Sequence, residues 1–125
     1  MNFSKTEMLC KYEKRELPED VYKNLMDLRE RLNKLGKDFL PPRILACGYR
    51  SPAHNAQVGG ARKSNHLTGC AVDIVDRDNQ LKSFLKSHER LLAECGLYAE
   101  DYEHTPTWVH LQSNPPASGK RVFLP

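Results

Sequence analysis

No stretch of this sequence approaches the run of ~18 apolar residues that a membrane-crossing helix needs, and no two of its cysteines form a Cys-x-x-Cys pair. It also lacks an internal repeat and any large excess of charge of one sign. The first absence excludes a transmembrane helix. The second argues against a zinc knuckle or a redox dithiol, so Cys10, Cys47, Cys70 and Cys95, all within or beside apolar stretches, are read as free, mostly buried thiols. The opening Met1-Asn2-Phe3-Ser4-Lys5 has no apolar signal core, and the expectation is a product that is cytoplasmic as synthesised. The net charge is only +3, and Lys11, Lys14, Arg15, Arg29, Arg31, Lys34 and Lys37 are interleaved with acids. That pattern describes a solvated helix face and gives no nucleic-acid partner. With 125 residues and no composition break, one core and one domain over 1–125 are expected, as a monomer.

What is present is a short alternation of helix and strand signals. Ser4-Lys5-Thr6-Glu7 is a capping box ahead of Met8, Leu9 and Cys10. Over 18–35, Pro18 opens a helix, Glu19 and Asp20 suit its first turn, and Val21, Leu25, Leu28, Leu32 and Leu35 form one apolar stripe closed by Gly36. Pro41-Pro42 breaks the chain, and Arg43 to Tyr49 reads as a strand. Arg50 to Ser64 is a long polar loop with room for one short helix at Ala53–Gln57. A second strand runs Cys70–Val75, and a second helix over 79–95 carries Leu81, Phe84, Leu85, His88, Leu91 and Leu92, with Gly96 beyond its end. Leu97-Tyr98-Ala99 and Trp108 to Leu111 read as paired strands, and Val122-Phe123-Leu124 as a last edge strand. The fold class is therefore α+β: a small, mostly antiparallel sheet with two main helices on one side and a cleft on the other.

Chemistry concentrates in Ser64-Asn65-His66-Leu67-Thr68-Gly69-Cys70-Ala71-Val72-Asp73. A bend at Gly69 can turn His66 and Asp73 toward one point. Alternation along Trp108 to Gln112 puts His110 on the face of Trp108 and Gln112, opposite Val109 and Leu111. Two imidazoles and one carboxylate are donors that zinc accepts, and three protein donors leave a position for water, as in catalytic zinc sites. Taken alone, a His and an Asp seven residues apart more often make ordinary hydrogen bonds.

The surrounding residues add to that pair. Gly48-Tyr49-Arg50-Ser51-Pro52-Ala53-His54-Asn55, then Val58-Gly59-Gly60-Ala61, the Ser64–Asp73 block and Trp108-Val109-His110 closely resemble the D-alanyl-D-alanine carboxypeptidase superfamily. That group also includes L-alanyl-D-glutamate endolysins, vancomycin-resistance dipeptidases and the hedgehog signalling domain. The likeness covers roughly residues 3–112 and is greatest to the small single-domain phage and bacterial branch. It implies that His66, Asp73 and His110 bind Zn²⁺. It implies too that Arg50 faces the site, holding a substrate carboxylate or polarising the scissile carbonyl, for which a guanidinium fork is suited. Ser64 is a candidate to orient a ligand or to bind substrate backbone, and His54 and Asn55 to fix the loop.

One departure stands out. Many members carry a catalytic Glu three residues before the last His, and Thr107 occupies that place. A peptidase needs a group to move a proton from water to the leaving amine. Glu100, at the end of the strand expected to pair with the His110 strand, is the first candidate. Glu103 is the second, His104 a candidate acid, and Gln112 a candidate to orient the His110 ring. The expected function is a zinc metallopeptidase hydrolysing peptidoglycan stem peptides, as a D,D-carboxypeptidase or endopeptidase of endolysin type, released by phage lysis or carried in a virion. The alternative is a non-catalytic, zinc-stabilised module that binds cell wall or serves as a phage structural part.

Overall fold

The computed structural model describes residues 1–125. Helix α1 (Lys5–Leu9) starts at Ser4, whose hydroxyl accepts from the Glu7 amide while the Glu7 carboxylate accepts from the Ser4 amide. Helix α2 (Glu19–Leu35) follows, and Val21, Leu25, Leu28, Leu32 and Leu35 are all buried. Gly36 is the C-cap, as expected, but not in the left-handed conformation. Gly36 has φ −74 and continues into a 3-10 turn, Gly36–Asp38. Glycine is required there by close approach, because a Cβ would lie 2.1 Å from the Met1 carbonyl oxygen. The Met1 ammonium donates to the carbonyls of Gly36 and Phe39, which tucks the N-terminus under the end of α2.

The sheet has five short strands: β1 (Leu45–Cys47), β2 (Ala71–Val75), β3 (Tyr98–Glu100), β4 (Trp108–Gln112) and β5 (Val122–Phe123). Their spatial order is β1-β2-β4-β3-β5, antiparallel except for the β3–β5 edge pair. Alternation divides the two faces. Val72, Ile74, Ala99, Val109 and Leu111 are fully buried and join the α2 stripe in one apolar cluster. Asp73 and His110 point the other way and are only partly covered. Helix α3 (Pro52–Gln57), capped by the Ser51 hydroxyl, leads into the loop that carries His66.

The single helix expected over 79–95 is two, α4 (Gln80–Ser87) and α5 (Glu89–Glu94). The break is at His88, which leaves the helical basin at φ −134. Its ring stacks on Phe84 at 4.5 Å and its Nδ1 lies 2.9 Å from the Phe84 carbonyl, a local bond that competes with the helix ladder. The apolar stripe survives the break because Leu81, Leu85 and Leu92 all remain buried. The first turn of α4 is held by the buried Asp76, whose carboxylate accepts from the Leu81 and Lys82 amides at 2.9 Å and pairs with Arg43.

Gly69 fixes where the His66 loop meets the core. Its φ is +75, and a Cβ would stand 2.6 Å from the Val21 carbonyl oxygen of α2. Gly69→Ala should therefore lower unfolding free energy by about 1–3 kcal/mol, read from urea denaturation midpoints at unchanged slope. Wild-type stability in that variant would show that loop and helix do not pack as described.

Candidate metal centre

The functional face is one row of side chains running across the sheet. The registers pair Cys47 with Asp73 and Asp73 with His110. The β3–β4 register pairs Tyr98 with Gln112 and Ala99 with Leu111, and alternation puts Glu100 on the face opposite Ala99, the face that His110 shares. Glu100 in turn pairs with Phe123. Directly opposed residues project from the same face with Cβ atoms about 4.5–5.5 Å apart. So Cys47, Asp73, His110, Glu100 and Phe123, one from each strand, stand in line. The Phe123 ring lies edge-on to His110 at 6.2 Å and closes that end of the row.

His66 enters from the loop above β2. Its amide donates to the Ser64 hydroxyl at 3.2 Å, and its carbonyl accepts from the Arg50 amide at 3.0 Å. Ser64 thus holds the backbone that delivers His66. The loop is anchored a second time where Asn114 donates to the Asn65 side chain at 2.9 Å.

Asp73 is the hub. Its Oδ2 lies 3.3 Å from His66 Nε2 and 3.7 Å from Arg50 Nη2, and its Oδ1 lies 2.9 Å from His110 Nδ1. The far nitrogen of each ring is engaged as well. His66 Nδ1 is 2.7 Å from the Gly48 carbonyl oxygen, which can only accept. His110 Nε2 is 2.8 Å from Gln112 Oε1, and the Gln112 amide donates to the Asn114 carbonyl at 2.9 Å, which fixes its oxygen toward the ring. A neutral His66 therefore carries its proton on Nδ1, and a neutral His110 carries its proton on Nε2. Each then presents a lone pair to the Asp73 carboxylate. Lone pairs aimed at a carboxylate repel unless a proton or a cation lies between them. Two imidazoles oriented from behind by acceptors, with a carboxylate between them, are a donor set that fits zinc.

Without metal, a proton on His66 fills that role. Burial disfavours charge on His66, but its hydrogen bond to Asp73 and the nearby Cys47 sulfur outweigh burial and push its pKa up to about 9. Burial likewise works against the Asp73 carboxylate, and the two imidazoles overcome it and hold that carboxyl well below the usual range.

Arg50 is held by three contacts. Its Nη1 donates to Asn55 Oδ1 at 3.2 Å, its Nε to Cys47 Sγ at 3.3 Å, and its Nη2 approaches Asp73. The buried Asn55 also donates to the Ala61 carbonyl at 2.9 Å, tying α3 to the loop. Glu100 is half-buried at its place in the row. Glu103 and His104 lie on an exposed 3-10 turn (Tyr102–His104), where His104 Nδ1 pairs with Asp101 at 2.7 Å. The structure does not bring these two into the row. Thr107 is exposed, and its carbonyl accepts from the Asp76 amide.

Cys47 is the residue that sequence reasoning left out of the site. Its sulfur lies 3.7 Å from His66 Nδ1, and the ligand atoms of Cys47, His66 and Asp73 all fall within 4.8 Å of one another. Burial raises its pKa, but His66 and Arg50 prevail and lower it. Cys10 is exposed and Cys47 only half-buried, so buried thiols describe Cys70 and Cys95 alone. The available signal was the position of Cys47 at the end of a strand, three residues before Arg50. Beside it opens a cleft of about 300 Å³, lined by Cys47, Gly48, Tyr49 and His54 and walled by Lys11 and Tyr12 from the N-terminal segment.

A family model, Peptidase M15, matches residues 1–112. Searches of the curated proteins and of the solved structures return no match.

Because His66 is protonated at neutral pH in the metal-free protein, zinc must displace that proton. The folded-state pKa of about 9 lies above the ordinary 6.5, so the proton's contribution to stability is complete below pH 6.5 and is lost as pH rises through about 9. The depressed Asp73 carboxyl works in the opposite sense, its share being lost as pH falls below the ordinary 3.8. The melting-temperature gain from a fixed zinc excess should grow steadily from pH 6.5 to about 9. A gain that is flat across that range would rule out metal–proton competition at His66.

Proposed function

The chain belongs to the M15 peptidase family of zinc-dependent peptidases, and from that membership we propose that it hydrolyses peptidoglycan stem peptides, as a D,D-carboxypeptidase or endopeptidase. The observation that carries this reading is the convergence of His66 Nε2 and His110 Nδ1 on the Asp73 carboxylate, with Glu100 on the same sheet face, one strand beyond His110. His66, Asp73 and His110 would hold zinc. Bound there, zinc supplies Lewis acidity and lowers the pKa of a coordinated water toward about 7.

The remaining chemistry falls to the chain's own groups. Glu100 projects from a rigid strand beside His110, where it can take a proton from the attacking water and pass it to the leaving amine. Its place in the row does what Thr107, on the exposed approach to β4, cannot do for want of an ionisable group. Arg50 faces the developing oxyanion with a fixed positive charge, preorganised by Asn55. The cleft beside it is cationic on one wall, with Lys11 Nζ 3.4 Å from His54 Nε2. A substrate with a free carboxylate suits that wall. Ser64 orients His66 from its backbone and stands at the rim, where substrate backbone can reach it. Glu103 and His104, turned to solvent, take no part in this scheme.

A second reading has one observation in its favour, the absence of an acid at Thr107. On it the protein is a zinc-stabilised module that binds wall peptide without cutting it.

Turnover of defined stem peptides by zinc-loaded protein separates the two. Glu100→Gln should cut kcat by about 10²–10⁴-fold while retaining one zinc per chain. Glu103→Gln and His104→Ala should leave kcat near that of the wild type. Arg50→Ala should weaken both KM and kcat. If Glu100→Gln stays active, the base assignment is wrong. If wild-type protein binds zinc yet releases no product from any stem peptide, the binding module is the correct reading.

A further inference from the structure

We propose that Cys47 is a fourth protein ligand to the metal of this site, so that the resting protein holds its ion in a closed set of Cys47, His66, Asp73 and His110. The inference rests on the zinc reading above and concerns the state of that same site. Cys47 pairs with Asp73 beside an irregularity in the β1–β2 register, and its sulfur lies on the metal-binding face, 3.7 Å from His66 Nδ1. Its ligand atom and those of His66 and Asp73 lie within 4.8 Å of one another. His110 stands outside that group and meets Asp73 through its other oxygen, with Nδ1 2.9 Å from Oδ1. Donors around a tetrahedral zinc, with bonds of about 2.0–2.3 Å, stand roughly 3.5 Å apart, so a bound ion would draw in both the Cys47 and the His110 side chains.

The sulfur is held toward the site from a second side, with Arg50 Nε 3.3 Å away. Of the other thiols, Cys10 is exposed on the cleft that Cys47 also lines, and Cys70 and Cys95 are buried.

The functional consequence follows from ligand count. Four protein donors make a closed zinc site, whereas three leave room for water. With Cys47 on the metal the centre is latent, and Arg50 is held against the sulfur instead of facing substrate. Release of Cys47 would leave the site three protein donors and would free Arg50 from the sulfur.

The test is spectroscopic and independent of turnover. Purified protein is loaded with Co²⁺ to one ion per chain, and its near-ultraviolet absorption is recorded. Thiolate ligation gives a sulfur-to-cobalt charge-transfer band, which should be present in wild type and lost in Cys47→Ser, with circular dichroism confirming that the variant is folded. A second readout needs no variant. Iodoacetamide labelling of wild type, mapped by peptide mass spectrometry, should lose Cys47 when zinc is bound. One cobalt per chain with no sulfur band, or Cys47 labelling unaffected by zinc, would overturn the inference and leave the zinc-peptidase reading standing. Failure to bind either metal would overturn both.

Discussion

The Asp73 carboxylate is the interaction on which the rest of this structure depends. It sits on a sheet whose other face is the apolar core, at only 15% side-chain exposure, and a charge so placed must be matched. Two imidazoles and a guanidinium match it, each brought by a different segment: His110 from β4, His66 from the loop before β2, and Arg50 from the exit of β1. Removing any one leaves a partly buried charge short of a partner. The segments that deliver them are therefore tied together as tightly as the core beneath. Asn55 binds Arg50 to the loop, Ser64 sets the His66 backbone, and Gly69 seats that loop on α2.

Strand alternation makes the arrangement economical. Adjacent residues on β2 and β4 serve opposite purposes: Val72 and Ile74 seal the core on either side of Asp73, and Val109 and Leu111 do so on either side of His110. Cross-strand register then converts positions remote in sequence into neighbours. Cys47, Asp73, His110 and Glu100 are spread over half the chain yet stand in consecutive strands of one sheet. A carboxylate on such a strand, as Glu100 is, is held to the precision of the sheet, which the exposed turn bearing Glu103 and His104 cannot offer.

The electrostatics of the row explain why it suits a cation. Nδ1 of His66 and Nε2 of His110 both face fixed acceptors, so the inward nitrogens must share whatever positive charge lies over Asp73. In the metal-free protein a proton on His66 supplies that charge. Cys47 adds a sulfur at the near edge, 3.3 Å from Arg50 Nε.

The elements were legible wherever the physics is local. The capping box at Ser4 and Glu7, the stripe from Val21 to Leu35, the alternation around Asp73 and His110, and the bend at Gly69 each depend on residues a few positions apart, and each stands in the structure as read. The split at His88 was hidden because the stripe through Leu81, Leu85 and Leu92 has helical spacing whether or not the backbone is continuous. Gly36 was legible as an ending, but its reason, the Met1 carbonyl, lies 35 residues away. The sequence by itself determined which residue types could meet a metal and which faces they would occupy, since periodicity and side-chain chemistry are properties of the local chain. Only the tertiary structure decided that Gly48 and Gln112 hold the two rings from behind, that Glu100 stands in the row while Glu103 does not, and that Cys47 belongs beside His66. Those are matters of register and backbone carbonyl direction, which arise when strands from distant parts of the chain pair.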